Sequence, residues 1–167
     1  MEIVTRAMDG DPMVGELLGI LTEWALQWVD YAARIKPDII YFSGVYESTD
    51  FWSPGLFRKL FAPMHRKLTE RAHSYGMKYI NYITTGIDGL TEEFKGLGID
   101  ALYAWDPVPP GDADMPRLKR VLGDEMAFWG GISPTWTVER GSEEDVRDAV
   151  RECIRILAPG GGFILCT

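Results

Sequence analysis

Cysteine is scarce in this sequence, with two residues, Cys153 and Cys166, in a chain of 167. They form no Cys-x-x-Cys motif, which argues against a disulfide framework and favours a reducing, cytoplasmic location. Positive charge is also in short supply, because 17 Lys and Arg stand against 25 Asp and Glu and leave a net charge of −8. Nucleic acid and anionic membrane surfaces are therefore not expected as partners, although a pocket of different local charge leaves an acidic ligand open.

The sequence also has no long apolar run and no nucleotide-binding glycine motif. The most apolar stretch, residues 17–33, is interrupted by Glu23, Gln27 and Asp30. This spacing predicts a helix with one solvent-exposed polar face rather than a membrane span. The first ten residues include three charged side chains and no apolar block, so no signal peptide is predicted. Neither Gly-x-Gly-x-x-Gly nor Gly-x-x-x-x-Gly-Lys-Ser/Thr occurs, which counts against the nucleotide-binding sheets.

What the sequence does contain is an alternation of short apolar runs with longer helical patterns. A hydrophobic content of 46% is enough for one domain, residues 1–167, with a core. Short apolar runs predict five strands, at residues 38–43, 77–86, 100–106, 126–132 and 163–166. Helical spacing and caps predict helices at 11–35, at 53–75 with a kink at Pro63, and at 90–97, 115–122 and 142–157.

Strict alternation with short loops predicts an α/β fold with a parallel sheet and right-handed crossovers. Five strands of this kind fit either an open doubly wound sheet or five-eighths of a (β/α)8 barrel, which usually takes about 250 residues. The spacing of the segments does not distinguish the two.

Several segments point to a family. Residues 51–63, Phe-Trp-Ser-Pro-Gly-Leu-Phe-Arg-Lys-Leu-Phe-Ala-Pro, resemble the Ser-Pro-x-Leu-Phe-Arg-x-Phe-x-x-Pro segment of the uroporphyrinogen decarboxylase superfamily. Further segments similar to those of the superfamily follow in the same order, at residues 98–102, 118–124, 127–132, 141–147 and 157–165. No single motif is strong, but together they span nearly the whole chain.

The resemblance implies the carboxyl-terminal five strands, four to eight, of a TIM (β/α)8 barrel, with strands one to three missing. It implies action on a tetrapyrrole carboxylate, as in porphyrin biosynthesis, or a role in corrinoid-linked methyl transfer. The chain would then be part of a longer carboxy-lyase or methyltransferase with a small-molecule substrate. A non-catalytic homologue that serves as a binding module is the alternative, and no cofactor is assigned.

The departures from the family pattern limit what can be transferred. The methyltransferase branch carries zinc ligands in a His-x-Cys pair at the end of strand five, and those positions hold Tyr82 and Thr84 here. The third ligand, a later Cys, would fall beyond Thr167. The essential Asp and Arg residues of the decarboxylase branch belong to the missing strands, and its later His also falls past Thr167. No metal site is therefore predicted.

Site residues are expected at the carboxyl ends of the strands, where barrel enzymes bind their substrates. Asp106 and Glu47 are the candidate catalytic groups, each with a plain alternative: a turn residue before Pro107 for the first and a solvated loop acid for the second. The candidate substrate-binding residues are Ser43, Tyr46, Tyr82, Thr84, Thr85, Trp105, Gly130 and Gly131.

Other residues have plainer expected roles. Tyr82 and Thr84 share a strand face, so a packed core pair is as good an interpretation as a site. Cys166 is expected to be a small buried side chain, and His65 and His73 are expected at the surface. The glycine pair lets a backbone approach closely, toward a ligand or a neighbouring element. Because five strands leave open edges, we expect self-association or pairing with a missing amino-terminal half-barrel.

Overall fold

The computed structural model describes residues 2–167 and contains five strands with helices between them. The strands are β1 (Ile39–Ser43), β2 (Lys78–Tyr82), β3 (Ala101–Tyr103), β4 (Ala127–Gly131) and β5 (Phe163–Cys166). The helices are α1 (Glu2–Met8), α2 (Pro12–Ala32), α3 (Pro54–Leu60), α4 (Ala62–Ser74), α5 (Met115–Leu122) and α6 (Glu143–Leu157). A π-helix, Pro134–Glu139, follows β4.

The sheet is parallel throughout, and its spatial order is β1-β2-β3-β4-β5, the same as the order in sequence. A doubly wound sheet reverses direction at a switch point, whereas a barrel adds each strand beside the preceding one. The order therefore identifies the sheet as consecutive strands of a (β/α)8 barrel.

One sheet face is covered by helices and the other is open. Tyr79, Leu102 and Phe128 point toward the helices and are at most 1% exposed. The opposite side, here called the open face, carries Ile39 and Tyr41 of β1, which are 48% and 56% exposed. The core therefore lies between the sheet and its helices, as it does in one sector of a barrel.

Local sequence signals explain the helix boundaries. Asp11 caps α2 by accepting a hydrogen bond from the Met13 N–H, and Pro12 takes the first helical position. Ser142 and Asp145 form a reciprocal capping box at the start of α6. The predicted kink near Pro63 is a break between α3 and α4 at Phe61.

All five predicted strands are confirmed, but one helix prediction is wrong and one α-helix was not predicted. The α-helix expected at 90–97 is wrong: a 3-10 turn, Asp88–Leu90, leads into irregular turns that bury Leu90, Phe94 and Leu97. Gly96 at φ +67° does not support a continuing right-handed helix. Helix α1 was not predicted. Among the helices of residues 2–167, none combines the length and apolarity that crossing a bilayer requires.

Candidate functional site

The parallel pairing brings the carboxyl ends of the five strands to one edge of the sheet. The register aligns one residue from each strand at the same level: Ser43, Tyr82, Tyr103, Trp129 and Ile164. Aligned residues in a parallel sheet point to the same side, which here is the open face. The site therefore has a floor of side chains from neighbouring strands.

Four rings on the open face form what we call the aromatic cluster, consisting of Tyr41, Tyr82, Tyr103 and Trp129. The ring centroids of Tyr82 and Tyr103 are 5.4 Å apart, and those of Tyr103 and Trp129 are 4.8 Å apart. Tyr41 completes the cluster at 5.6 Å from Tyr82 and 6.3 Å from Tyr103. These separations are typical of favourable tilted or edge-to-face contacts, so the rings support one another while remaining partly exposed.

Asp106 lies just beyond β3, and backbone and side-chain groups fix its position. Its N–H donates to the Thr84 carbonyl at 2.9 Å, which ties the loops after β2 and β3 together. Its Oδ1 accepts from the Val108 N–H at 2.8 Å, and its Oδ2 accepts from the Ser133 hydroxyl at 2.7 Å. Because each carboxylate oxygen has two acceptor positions, this oriented and partly buried group can still accept from a ligand.

Glu47 is not a solvated loop acid, which was the alternative to a catalytic role. It ends the 3-10 turn Val45–Glu47 after β1, is 7% exposed, and its Oε2 lies 2.7 Å from His65 Nε2. The Nδ1 of His65 lies 3.2 Å from the Tyr79 hydroxyl, and burial raises the pKa of Tyr79 well above its ordinary value. Glu47 is therefore held in a buried polar chain beneath the strand ends.

The prediction of a surface position is wrong for His65, which is fully buried, and is confirmed for His73. Residues 61, 65, 68 and 72 repeat at the spacing of the buried stripe of α4, so helical periodicity contained the signal for His65. His73 lies on the outer surface, where its Nε2 is 2.6 Å from Asp100 Oδ2.

Asn81 is a residue that the sequence interpretation did not select. It is fully buried, and within residues 2–167 neither polar atom of its side-chain amide has a hydrogen-bond partner. A Cβ at Gly44 would lie 2.5 Å from Asn81 Oδ1 and 2.9 Å from Glu47 Oε2. The loop after β1 therefore needs glycine at this position to pass over these two side chains.

The predicted strand-end residues at β1 and β2 occupy different environments. Ser43 is exposed, as is Tyr46, whose carbonyl accepts from the Trp52 indole at 2.6 Å. Strand β2 ends at Tyr82, so the partly buried Thr84 lies in the loop rather than beside Tyr82 on a strand. The Thr85 hydroxyl donates to Asp50 at 2.5 Å.

Trp105 does not lie on the open face with the other predicted residues. Ala104 has φ +63°, which turns the chain, and the indole packs edge-on against Phe128 with 1% exposure. Gly130 and Gly131 have φ +150° and +101°, and a Cβ on Gly131 would lie 2.9 Å from Cys153 Sγ. The close approach at Gly131 is thus toward a neighbouring element, helix α6.

The residues at the two zinc positions implied by the resemblance do not fit a zinc ion. Tyr82 offers a phenol and Thr84 a hydroxyl, whereas a soft tetrahedral site uses thiolate and imidazole donors. Within residues 2–167, no three His, Cys, Asp or Glu side chains are grouped so that they could hold a metal.

A groove separates helix α2 from the free edge of β1. Two cavities of about 500 and 370 Å³ lie along it, and Trp24, Ala25, Phe42 and Ser43 line both of them. The other lining residues are mostly apolar and include Trp28, Leu21 and Ile39.

Comparison with known proteins places the chain in a family. It is similar to a solved methyltransferase from Methanosarcina mazei, with 16% sequence identity and a TM-score of 0.79 over 98% of this chain and 45% of that one. The chain thus spans less than half the length of that structure, and the likeness supports the fold alone. A search of curated proteins finds no match. The family model for uroporphyrinogen decarboxylase (URO-D) matches residues 4–167, and the chain therefore belongs to the URO-D family.

Proposed function

We propose that this chain is the carboxyl-terminal part of a barrel methyltransferase of the URO-D family. In this proposal the strand ends bind a small methyl donor for corrinoid-linked transfer. The observation that carries the proposal is the character of the site, an aromatic cluster at strand ends whose following loops contain acidic residues and no Lys or Arg. Such a surface suits a neutral or cationic molecule better than a substrate with several carboxylates.

The charged residues in the loops that follow β1, β2 and β3 are all negative. Residues 44–53, 83–94 and 104–114 contain two, three and three acidic residues and no Lys or Arg. The nearby cations are engaged, because Arg117 pairs with Asp88 at 2.9 Å and Arg140 stacks on Trp136 at 4.4 Å. Carboxylate recognition relies on free guanidinium or ammonium groups, so this part of the barrel disfavours a polycarboxylate ligand.

The residues of this chain would bind and orient the donor. The aromatic cluster would hold its methylated end, and Asp106, fixed by the Val108 N–H and the Ser133 hydroxyl, would accept a hydrogen bond from its polar end. The corrinoid supplies the nucleophile that accepts the methyl group. We assign no residue to hold the corrinoid, and the role proposed here does not use zinc.

The groove between α2 and β1 is where the rest of the barrel would join. A strand in this groove would pair with the free edge of β1 and cover Trp24 and Trp28, which are both more than half exposed. We propose that the partner is the amino-terminal half-barrel or, failing that, a second copy of the chain.

Decarboxylation of a tetrapyrrole carboxylate is the second candidate. The row of Tyr82, Tyr103 and Trp129 would provide a floor for a flat macrocycle, and Asp106 would accept hydrogen bonds from its pyrrole N–H groups. This candidate requires the missing half-barrel to supply every cation that the substrate needs.

An activity assay separates these candidates. The protein, together with its partner half-barrel, is incubated with methylated amines, ethers and sulfonium compounds and a reduced corrinoid, whose absorbance reports methylation. A parallel reaction with uroporphyrinogen is followed by mass spectrometry for the loss of CO₂. We expect methyl transfer, reduced about tenfold or more by Asp106→Asn, in line with the loss of one charge-assisted hydrogen bond that orients the donor. Activity in neither assay would favour the non-catalytic binding module.

A further inference from the structure

The aromatic cluster faces the open side of the sheet near the carboxyl ends of the strands. Position 82 is a tyrosine, and its ring contacts those of Tyr41 and Tyr103. We infer that this cluster binds the onium group of a methylated cation, such as a quaternary ammonium or a sulfonium. This names a substrate class for the proposed methyl transfer. The use of the bound cation as a methyl donor rests on the proposed function, whereas its binding does not.

Ring chemistry favours a cation at this place. The faces of Trp and Tyr carry the negative part of the aromatic quadrupole and attract cations within about 6 Å of the ring centroid. The centroids of Tyr82 and Tyr103 are 5.4 Å apart, and Trp129 lies 4.8 Å beyond Tyr103. A trimethylammonium group resting on Tyr103 can therefore contact a neighbouring ring as well, and it needs no hydrogen-bond acceptor.

The charge of the loops around the aromatic cluster also favours a cation. The three loops that follow β1, β2 and β3 contain acidic residues and no Lys or Arg, and the whole chain has a net charge of −8. Asp106 lies three residues beyond Tyr103, and its N–H binds the carbonyl of Thr84, two residues beyond Tyr82. The loops that follow these strands thus carry only negative charge of their own, which favours a cation over an anion at the strand ends.

The partial exposure of the rings leaves room for a ligand. Tyr41 is 56% exposed, and Tyr82, Tyr103 and Trp129 are intermediate in exposure. The aromatic cluster therefore differs from Trp105, which is buried on the helix side and has no such surface.

The test uses two probes of the same shape that differ in charge. Choline carries a trimethylammonium group, and 3,3-dimethylbutan-1-ol replaces it with an uncharged tert-butyl group. Calorimetry measures the affinity of each for the purified chain, and proton NMR follows the methyl signals. We expect choline to bind at least about tenfold more tightly, with its methyl signal moved upfield by the ring faces.

Variants locate the site. Tyr103→Leu is expected to abolish the preference, Tyr103→Phe to retain it, and Tyr41→Leu to weaken it. Trp28→Leu is the matched control, because Trp28 belongs to an exposed aromatic group on α2, with its ring 5.8 Å from that of Trp24. Circular dichroism verifies that each variant is folded. If Tyr103→Leu does not fold, Tyr41→Leu replaces it as the test variant.

The inference is overturned if the two probes bind equally, if choline does not saturate, or if Trp28→Leu removes the preference while Tyr103→Leu does not. Its failure is distinguishable from that of the proposed function. Choline binding at Tyr103 without methyl transfer from any donor would refute the function alone. Turnover of a neutral donor with no preference for the cation would refute the inference alone.

Discussion

His65 Nε2 lies 2.7 Å from Glu47 Oε2, and this contact joins helix α4 to the turn that follows strand β1. The histidine is fully buried and the glutamate is 7% exposed, so both side chains have lost most of their contact with water. The hydrogen bond between them compensates for that loss. The pair fixes the direction of the chain as it leaves β1, on the helix side of the sheet where Tyr79 also lies.

We predict that His65→Leu destabilises the chain by about 3 to 5 kcal/mol, because it leaves the Glu47 carboxylate buried without its partner. The double variant with Glu47→Leu is expected to recover a large part of that loss, since no buried charge remains. His73→Gln is the control, because His73 is exposed and its partner Asp100 keeps its bonds from Lys78 and the Tyr79 N–H, and it should change stability by about 1 kcal/mol or less. Urea unfolding monitored by circular dichroism measures all three, and equal effects of the two histidine variants would contradict the prediction.

Asp100 is predicted to contribute an acid-sensitive part of the stability. Burial acts to raise the pKa of this carboxyl, but hydrogen bonds from Lys78, the Tyr79 N–H and His73 outweigh it and hold the pKa below its ordinary value. A lowered pKa in the folded state means that the unfolded chain binds the proton more readily. The stabilisation is therefore complete above the ordinary pKa and is lost as the pH falls through the folded value.

Unfolding of the parent chain and of Asp100→Asn, from about pH 6 to about pH 3, measures this contribution. We expect the parent to be more stable by about 1 kcal/mol or less at the upper end, because its partners are partly exposed, and the gap to close toward the lower end. A gap that does not change with pH would assign the effect of Asp100→Asn to packing rather than to charge.

The two cysteines are predicted to differ in reactivity. Burial, aided by the charge of Glu152, raises the pKa of Cys153 to about 11, and its thiol donates to the Gly131 carbonyl at 3.0 Å. Cys166 is only half-buried. At pH 8 a coloured disulfide reagent should titrate one thiol quickly in the folded chain and both in denaturant, because thiolate is the reacting form. Cys166→Ser should abolish the fast phase, and a fast phase that survives it would contradict the assignment.

The strands were predictable because each is a short apolar run bounded by glycine, proline or polar residues. Their parallel direction also followed from strict alternation, whereas the order β1-β2-β3-β4-β5 was implied only by the resemblance to a barrel family. The alignment of Tyr82 with Tyr103 and Trp129 was not predictable, because the register of a sheet depends on the pairing and packing of whole strands. The aromatic cluster therefore emerged only from the structure.

Two site predictions depended on backbone detail that the sequence does not reveal. The positive φ of Ala104, a conformation that alanine seldom adopts, sends Trp105 to the helix side of the sheet. For Glu47, a candidate catalytic group, the alternative of a solvated loop acid is wrong, because its partner lies 18 residues away on α4. Only the position of His65 could have been inferred, from the apolar periodicity of that helix.

The free edge of β1 is predicted to make the isolated chain associate. Ile39 on this strand and Trp24 and Trp28 on α2 are 48%, 59% and 54% exposed, and monomeric proteins rarely leave so contiguous an apolar surface uncovered. Light scattering should give a mass above that of a single chain, rising with concentration. Ile39→Lys should shift the distribution toward monomer, because a charged side chain at a strand edge opposes further pairing.

The matched control is Ile154→Lys on helix α6, where the native side chain is also 48% exposed but lies away from the groove. It adds the same charge and should leave the mass distribution unchanged. A monodisperse monomer that unfolds cooperatively at every concentration would show that the groove needs no occupant. Equal effects of the two lysine variants would show that association depends on net charge rather than on the edge of β1.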